Sequence, residues 1–96
     1  IHYPEFTCVC PMTGQPDFAK LHISYVPGQT CVELKSLRNY LWSYRNKGVF
    51  HEAVTNKIAD DLTKLLDPQW LLVEAEFQAR GGINTTVRVE VAGGET

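Results

Sequence analysis

The sequence predicts a single α+β domain in the order strand, strand, helix, helix, strand, strand. Three observations carry that expectation. Four stretches read as strands, most of them alternating apolar and polar residues with the two-residue period of a half-buried strand. Two stretches repeat apolar residues every three or four positions, the period of an amphipathic helix. The connections are short, which favours antiparallel hairpins at both ends with the helix pair laid on one face of the sheet.

The first strand is expected over Tyr3 to Cys10. It is the weakest of the four, because Pro4 removes a ladder donor and is tolerated only near a strand start or on an edge. Pro11-Met12-Thr13-Gly14-Gln15-Pro16-Asp17-Phe18 then forms a shaped loop. The second strand runs from Ala19 to Val26, with Ala19, Leu21, Ile23 and Tyr25 on one face and Lys20, His22 and Ser24 on the other. Pro27-Gly28 ends it. The first helix is expected to start near Thr30, where Thr30 and Glu33 have the spacing of a capping box. Leu34, Leu37, Leu41 and Tyr44 give its apolar face, and Gly48 breaks the pattern. The second helix spans about Val49 to Leu66. Phe50, Val54, Ile58 and Leu62 form its stripe, Leu65 and Leu66 close it, and Asp60, Asp61 and Lys64 stand on the wet side. Asp67-Pro68 stops it. In the third strand Leu71, Val73, Ala75 and Phe77 alternate with Leu72, Glu74, Glu76 and Gln78. Arg80-Gly81-Gly82 turns the chain into a fourth, where Val87, Val89 and Val91 alternate with Thr86, Arg88 and Glu90.

Length and composition bound the function. At 96 residues there is room for one domain and no second. No segment approaches the ~20 apolar residues that span a bilayer. A formal net charge of -2, without any block of like charge, gives no polyanion-binding arm. A domain this small buries only roughly two-thirds of the surface its unfolded chain exposes, so its own core is thin. Cysteines do not compensate: three is an odd count, and Cys8 and Cys10, one residue apart in an extended segment, cannot readily bond each other. A reducing, cytoplasmic compartment fits such usage. The chain opens on Ile1 and not Met, so a missing N-terminal piece is expected; what is present carries no signal peptide.

Several residues could carry chemistry. Cys10 sits where a strand ends and a proline-containing loop begins, a place that presents a side chain to a pocket. Its thiolate would be a nucleophile given a nearby positive charge, donor or helix N-terminus; a small buried hydrophobe is the plainer alternative. Asp17, on the same loop, could shuttle a proton to or from a thiol, or be an ordinary turn aspartate. His51 and Glu52 open the second helix, where a carboxylate is favoured by the helix dipole alone. Glu52 also presents two coplanar acceptors, which suits a flat heterocycle with N–H donors. Lys35 and Arg38, three apart on the first helix with Ser36 beside them, could hold phosphate, as could the backbone and guanidinium of Arg80-Gly81-Gly82; a solvated helix face and a plain hairpin turn explain them as well. No dinucleotide fingerprint or P-loop is present, and no set of residues has metal-ligand spacing.

Together these residues resemble a known family. The run Glu5-Phe6-Thr7-Cys8-Val9-Cys10-Pro11-Met12-Thr13-Gly14-Gln15-Pro16-Asp17-Phe18 resembles the active-site segment of the 7-cyano-7-deazaguanine reductases (QueF), the nitrile reductases of queuosine biosynthesis, which modifies tRNA. Glu33-Leu34-Lys35-Ser36-Leu37-Arg38-Asn39-Tyr40 resembles their signature, in which Arg38 stands for a lysine and Asn39 for Leu or Tyr. Phe50-His51-Glu52 with Asn56, then Asp67-Pro68 and Arg80-Gly81-Gly82, follow in the family's order, so the resemblance covers nearly the whole chain.

The resemblance implies the tunnelling fold of GTP cyclohydrolase I, with the strand and helix order read above. It implies subunits that join their sheets into rings, a decamer of two stacked pentamers, and active sites between subunits. It implies reduction of a nitrile to a primary amine by two NADPH. Cys10 would attack the nitrile carbon to give a thioimide and Asp17 would protonate the nitrogen. Glu52 would anchor the deazaguanine, with His51 at the same site helping proton movement. Glu33, Lys35, Ser36 and Arg38 would belong to the NADPH signature, with Arg80 and Gly81 as further cofactor contacts. Arg38 keeps the positive charge but not the point-charge geometry of lysine. Near-neutral charge suits a small free base and not a tRNA. The rivals are a related amidinotransferase that traps the nitrile and acts on tRNA, a non-catalytic deazapurine- or pterin-binding domain, and a thiol redox sensor using Cys8 and Cys10. Cys31 has no assigned role and is expected to be buried.

Overall fold

A computed structural model of the chain describes residues 1–80 and 82–92. The strands are β1 (His2–Val9), β2 (Pro16–Val26), β3 (Trp70–Arg80) and β4 (Ile83–Ala92); the helices are α1 (Leu34–Trp42) and α2 (His51–Leu66). A 3₁₀ turn, Ser43–Asn46, continues α1. The strands form one antiparallel sheet in the order β1-β2-β3-β4. Element order and strand direction are those the sequence predicts.

The alternation decides which sheet face is covered. Ala19, Leu21 and Ile23 of β2 stand opposite Phe77, Ala75 and Val73 of β3, and all six are buried. Leu37, Leu41, Val54, Ile58 and Leu62 from the helices close over them. Burying each larger side chain of this layer contributes roughly 1.5–3 kcal/mol, so the helix-facing surface holds the fold together. The opposite face carries the residues of the other parity. There Lys20 faces Glu76 and Glu74 faces Arg88, and His22 Nε2 lies 2.7 Å from Glu76 Oε2.

The ends of α2 are set locally. Asp67 takes a left-handed φ of 43° and its N–H donates to the Thr63 carbonyl, which closes the helix before Pro68. The β2–α1 loop packs against this turn. Gln69 N donates to Val26 O at 2.8 Å and Thr30 Oγ1 to Leu66 O at 3.1 Å.

Several expectations are corrected. β2 begins at Pro16 and not at Ala19, so Asp17 and Phe18 are strand residues. Proline is tolerated there because it is the first residue of the strand. The Thr30–Glu33 capping box does not form. Glu33 is itself the N-cap of α1, its carboxylate accepting from Lys35 N and, at 3.1 Å, from Ser36 N. The helical stripes are narrower than the apolar spacing suggests: Leu34, Phe50 and Leu65 are 65%, 56% and 70% exposed. α2 starts at His51, with Phe50 as its N-cap. Cys31 is exposed and not buried. Asp61 leaves the wet side: it is half-buried and accepts from the Tyr40 hydroxyl, which joins α1 to α2.

Candidate active site

The site is built where β1 ends. Val9 N donates to Lys47 O at 2.9 Å and Val49 N donates back to Val9 O at 3.0 Å. This short parallel bridge at Gly48 lays the segment before α2 alongside the end of β1. Cys10, the next residue, therefore stands beside the first turn of α2. A tight turn follows. Gly14 N donates to Cys10 O at 2.9 Å and Cys10 N to Gln15 O at 2.8 Å. Gly14 has a φ of +73°, a conformation glycine adopts without the cost of a Cβ. The chain returns as β2, where Asp17 is the cross-strand partner of Cys8.

These elements bring Cys10, Asp17, His51 and Glu52 to one pocket of about 410 Å³, completed by Pro11, Val49, Phe50 and Thr85. Asp17 is buried, at 8% exposure. His51 reaches down from the start of α2 so that Nε2 lies 3.3 Å from Asp17 Oδ2. Its ring lies flat on Phe77, with centroids 3.8 Å apart and planes 5° apart. Glu52 is exposed, with its carboxylate on the first turn of α2. Thus all four residues singled out for the substrate and the chemistry converge. Cys8, by contrast, is in the core, and Cys10 is half-buried at the pocket.

The residues singled out for the cofactor lie elsewhere on the chain. Glu33, Lys35, Ser36 and Arg38 are exposed on or just before α1. Glu33 and Ser36 line a cavity of about 420 Å³ between α1 and α2, with Tyr40 and Leu62. Arg38 lines another, of about 460 Å³, with Tyr3, Glu5, Asn39 and Trp42. Neither shares a residue with the Cys10 pocket. The Arg80 side chain and Gly81 lie outside the described residues. Tyr40, the aromatic of the signature, serves the fold: its hydroxyl donates to Asp61 and lies 2.9 Å from the Tyr44 hydroxyl.

Two aromatic residues at the site were not singled out for it from the sequence. Phe50 falls on a helical stripe and Phe77 on a core-facing strand parity, yet Phe50 lines the pocket and Phe77 lies beneath His51. The segment Phe50-His51-Glu52 is the signal that points to Phe50; nothing local points to Phe77.

The pocket can hold a flat, hydrogen-bonding ring. A thiol, a carboxylate–imidazole pair suited to proton transfer and an exposed carboxylate with two coplanar acceptors all line it. Among the described residues no group of His, Cys, Asp and Glu could hold a metal ion, and no helix is long and apolar enough to cross a membrane.

The chain is similar to known proteins. The family model described as "QueF-like protein" matches residues 16–95. A protein of Nitrosococcus oceani named NADPH-dependent 7-cyano-7-deazaguanine reductase is 63% identical over 90 residues, which are 94% of this chain and 70% of that protein. One of the same name from Anaeromyxobacter sp. strain K is 66% identical over 84 residues, 88% of this chain and 69% of its own. Among solved structures, the archaeosine synthase QueF-Like in its apo form superposes with a TM-score of 0.89. That match covers 97% of this chain and 91% of that one at 18% identity, and it shows that the two share a fold, the tunnelling fold. With the model spanning most of the residues and identity above one half to named reductases, the chain belongs to the QueF-like family of 7-cyano-7-deazaguanine reductases.

Proposed function

We propose that this protein is an oxidoreductase that reduces the nitrile of 7-cyano-7-deazaguanine to a primary amine with NADPH. The observation that carries the reading is the meeting of Cys10, Asp17, His51 and Glu52 at one pocket. A nitrile is a poor hydride acceptor. Addition of the Cys10 thiolate to its carbon, with a proton passing from Asp17 to the nitrogen, gives a thioimide, an activated C=N. His51, 3.3 Å from Asp17, is the group through which that carboxyl is reprotonated. Glu52 holds the N–H donors of the deazaguanine in the plane of its carboxylate.

NADPH would supply hydride; reduction of the nitrile to the amine takes two hydrides, each with a proton, so each turnover would take two NADPH, with Cys10 released as the thiolate between the two additions. The residues of α1 suit its phosphates. Lys35 and Arg38 offer an ammonium and a guanidinium three residues apart on an exposed helix surface. Because those residues line no part of the Cys10 pocket, the reading is that sites form between copies: α1 of one subunit faces the pocket of another in a ring, and two rings stack as a decamer. A cytoplasmic setting and a place in queuosine biosynthesis accord with a free-base substrate.

A binding-only role is disfavoured by a thiol and a buried carboxyl opening into the same pocket, which binding alone does not need. The test is NADPH oxidation dependent on 7-cyano-7-deazaguanine, with a covalent adduct seen by intact mass before NADPH is added. Loss of both in Cys10→Ala is the expected result. Normal turnover in that variant would sink the covalent mechanism, and absence of substrate-dependent oxidation in the parent protein would sink the reductase reading.

A further inference from the structure

We infer that Phe77 is a positioning residue for the reaction: its ring sets the plane of the His51 imidazole, and in that plane Nε2 can meet Asp17. The inference rests on the reading of Asp17 and His51 as the proton-transfer pair.

The need for such a residue follows from the histidine side chain. Its terminal torsion is broad and has no strongly preferred value, so α2 fixes where the His51 ring begins but not how it is turned. Turning the ring about its bond to Cβ swings Nε2 away from Asp17 Oδ2. Asp17 alone is a weak guide, because a contact of 3.3 Å is longer than a strong charge-assisted hydrogen bond.

Phe77 supplies the missing constraint. It is 3% exposed on β3, so its own ring is pinned by packing. Its partner across the ladder is Ala19, and Asp17 is the next residue of β2 on that same face. The small side chain of Ala19 leaves the Phe77 ring and the Asp17 carboxylate side by side on the helix-facing surface of the sheet. The His51 ring descends onto both at once, parallel to Phe77 within 5° and 3.8 Å from it between centroids. The stack leaves the ring two settings, related by a half-turn that exchanges Nε2 with Cε1, and the Asp17 carboxylate selects the one that brings Nε2 to it. His51 also lines the pocket.

The experiment is NMR of 15N-histidine-labelled protein without ligands, with His51 assigned by its disappearance in His51→Gln, followed by steady-state kinetics. In the parent protein the His51 ring protons should be shifted upfield by the Phe77 ring current, and one tautomer, with the proton on Nε2, should dominate. Phe77→Leu keeps an apolar side chain but removes the flat face. It should abolish the upfield shift, mix the tautomers and lower kcat about tenfold to a hundredfold with KM little changed, the scale of a small misplacement of a catalytic group. Phe77→Tyr keeps the ring and should restore the tautomer and kcat. A folded Leu variant that retains the His51 tautomer overturns the inference whatever its rate. Absence of the ring-current shift in the parent protein also overturns it, and that result needs no variant to fold. Failure of the reductase reading would show separately, as a parent protein without NADPH oxidation and with its His51 spectrum intact.

Discussion

His51 Nε2 and Asp17 Oδ2 meet at 3.3 Å, one from the first residue of α2 and the other from the second residue of β2. The contact joins the helix layer to the sheet at the pocket. Asp17→Asn preserves the shape of the side chain and removes the proton. NADPH oxidation should fall about 10²- to 10⁴-fold, the usual contribution of a positioned acid. Stopped-flow formation of the Cys10 adduct should slow with it. An Asn variant that forms the adduct at the parent rate would assign the protonation to another group.

Glu52→Gln separates recognition from chemistry. Glu52 is exposed, so the fold should lose only about 0.3–1 kcal/mol, from the charge at the helix N-terminus. Substrate binding should weaken about tenfold to a hundredfold, because one acceptor of the carboxylate becomes a donor and a charged hydrogen bond is worth about 1.5–3 kcal/mol. Calorimetric titration with 7-cyano-7-deazaguanine checks this. Unchanged affinity would remove Glu52 from the substrate site.

Asp61 gives a pH-dependent clamp between the helices. The Tyr40 hydroxyl, and then Lys57 at 2.9 Å, hold its carboxyl below the usual carboxylate range. Burial, and then the bond to Asp61, push the Tyr40 hydroxyl up. Because the folded value of Asp61 is depressed, its stabilisation is fully present above the unfolded value near 3.9 and is lost as pH falls through the lower, folded value. Tyr40→Phe should therefore cost about 1–2 kcal/mol at pH 7. The difference from the parent protein should shrink as the pH is lowered below 4, as read by urea unfolding. A gap that does not depend on pH would mean the hydroxyl stabilises without Asp61.

Gly28 tests the packing of the two loops. A Cβ on this residue would lie 2.6 Å from the backbone oxygen of Asp67, and backbone cannot swing away as a side chain can. Gly28→Ala should lower stability by about 1–3 kcal/mol, as overpacking does, and leave the Cys10 adduct intact in the folded protein. Gly14→Ala should act in the other order. Nothing lies within 4 Å of its Cβ position, but its φ of +73° sits in the turn that carries Cys10. Its cost should be about 1–2 kcal/mol from the left-handed backbone, together with slower adduct formation. Thermal melts and adduct kinetics on both variants distinguish the two.

The parts of this molecule that were legible in the sequence are those written as a period or a motif. The alternation of Ala19, Leu21 and Ile23 against Leu71, Val73 and Ala75 gave the strands and their covered face, because parity in a strand is a local property. The segment around Cys10 and Asp17 marked the place of the pocket through its residue types. What was missed depends on contacts between distant residues. Glu33 caps α1 because its carboxylate reaches Lys35 N and Ser36 N, while Thr30, equally able to cap, is bonded to Leu66. Leu34 and Leu65 fit a helical stripe but lie beyond the width that the sheet covers. Phe77 looked like any core residue, since nothing local says that a histidine 26 positions away in the fold's other layer will rest on it.

The strand setting of Asp17 has a bearing on how such a pocket can diversify. Its backbone is paired to Cys8, so the acid stands on a fixed ladder position, whereas the residues from Pro11 to Gln15 form a loop tied at its ends. Substitutions in that loop can remodel the rim around the thiol without dragging Asp17 along. Substrate preference can therefore drift while the distance between acid and imidazole is inherited unchanged.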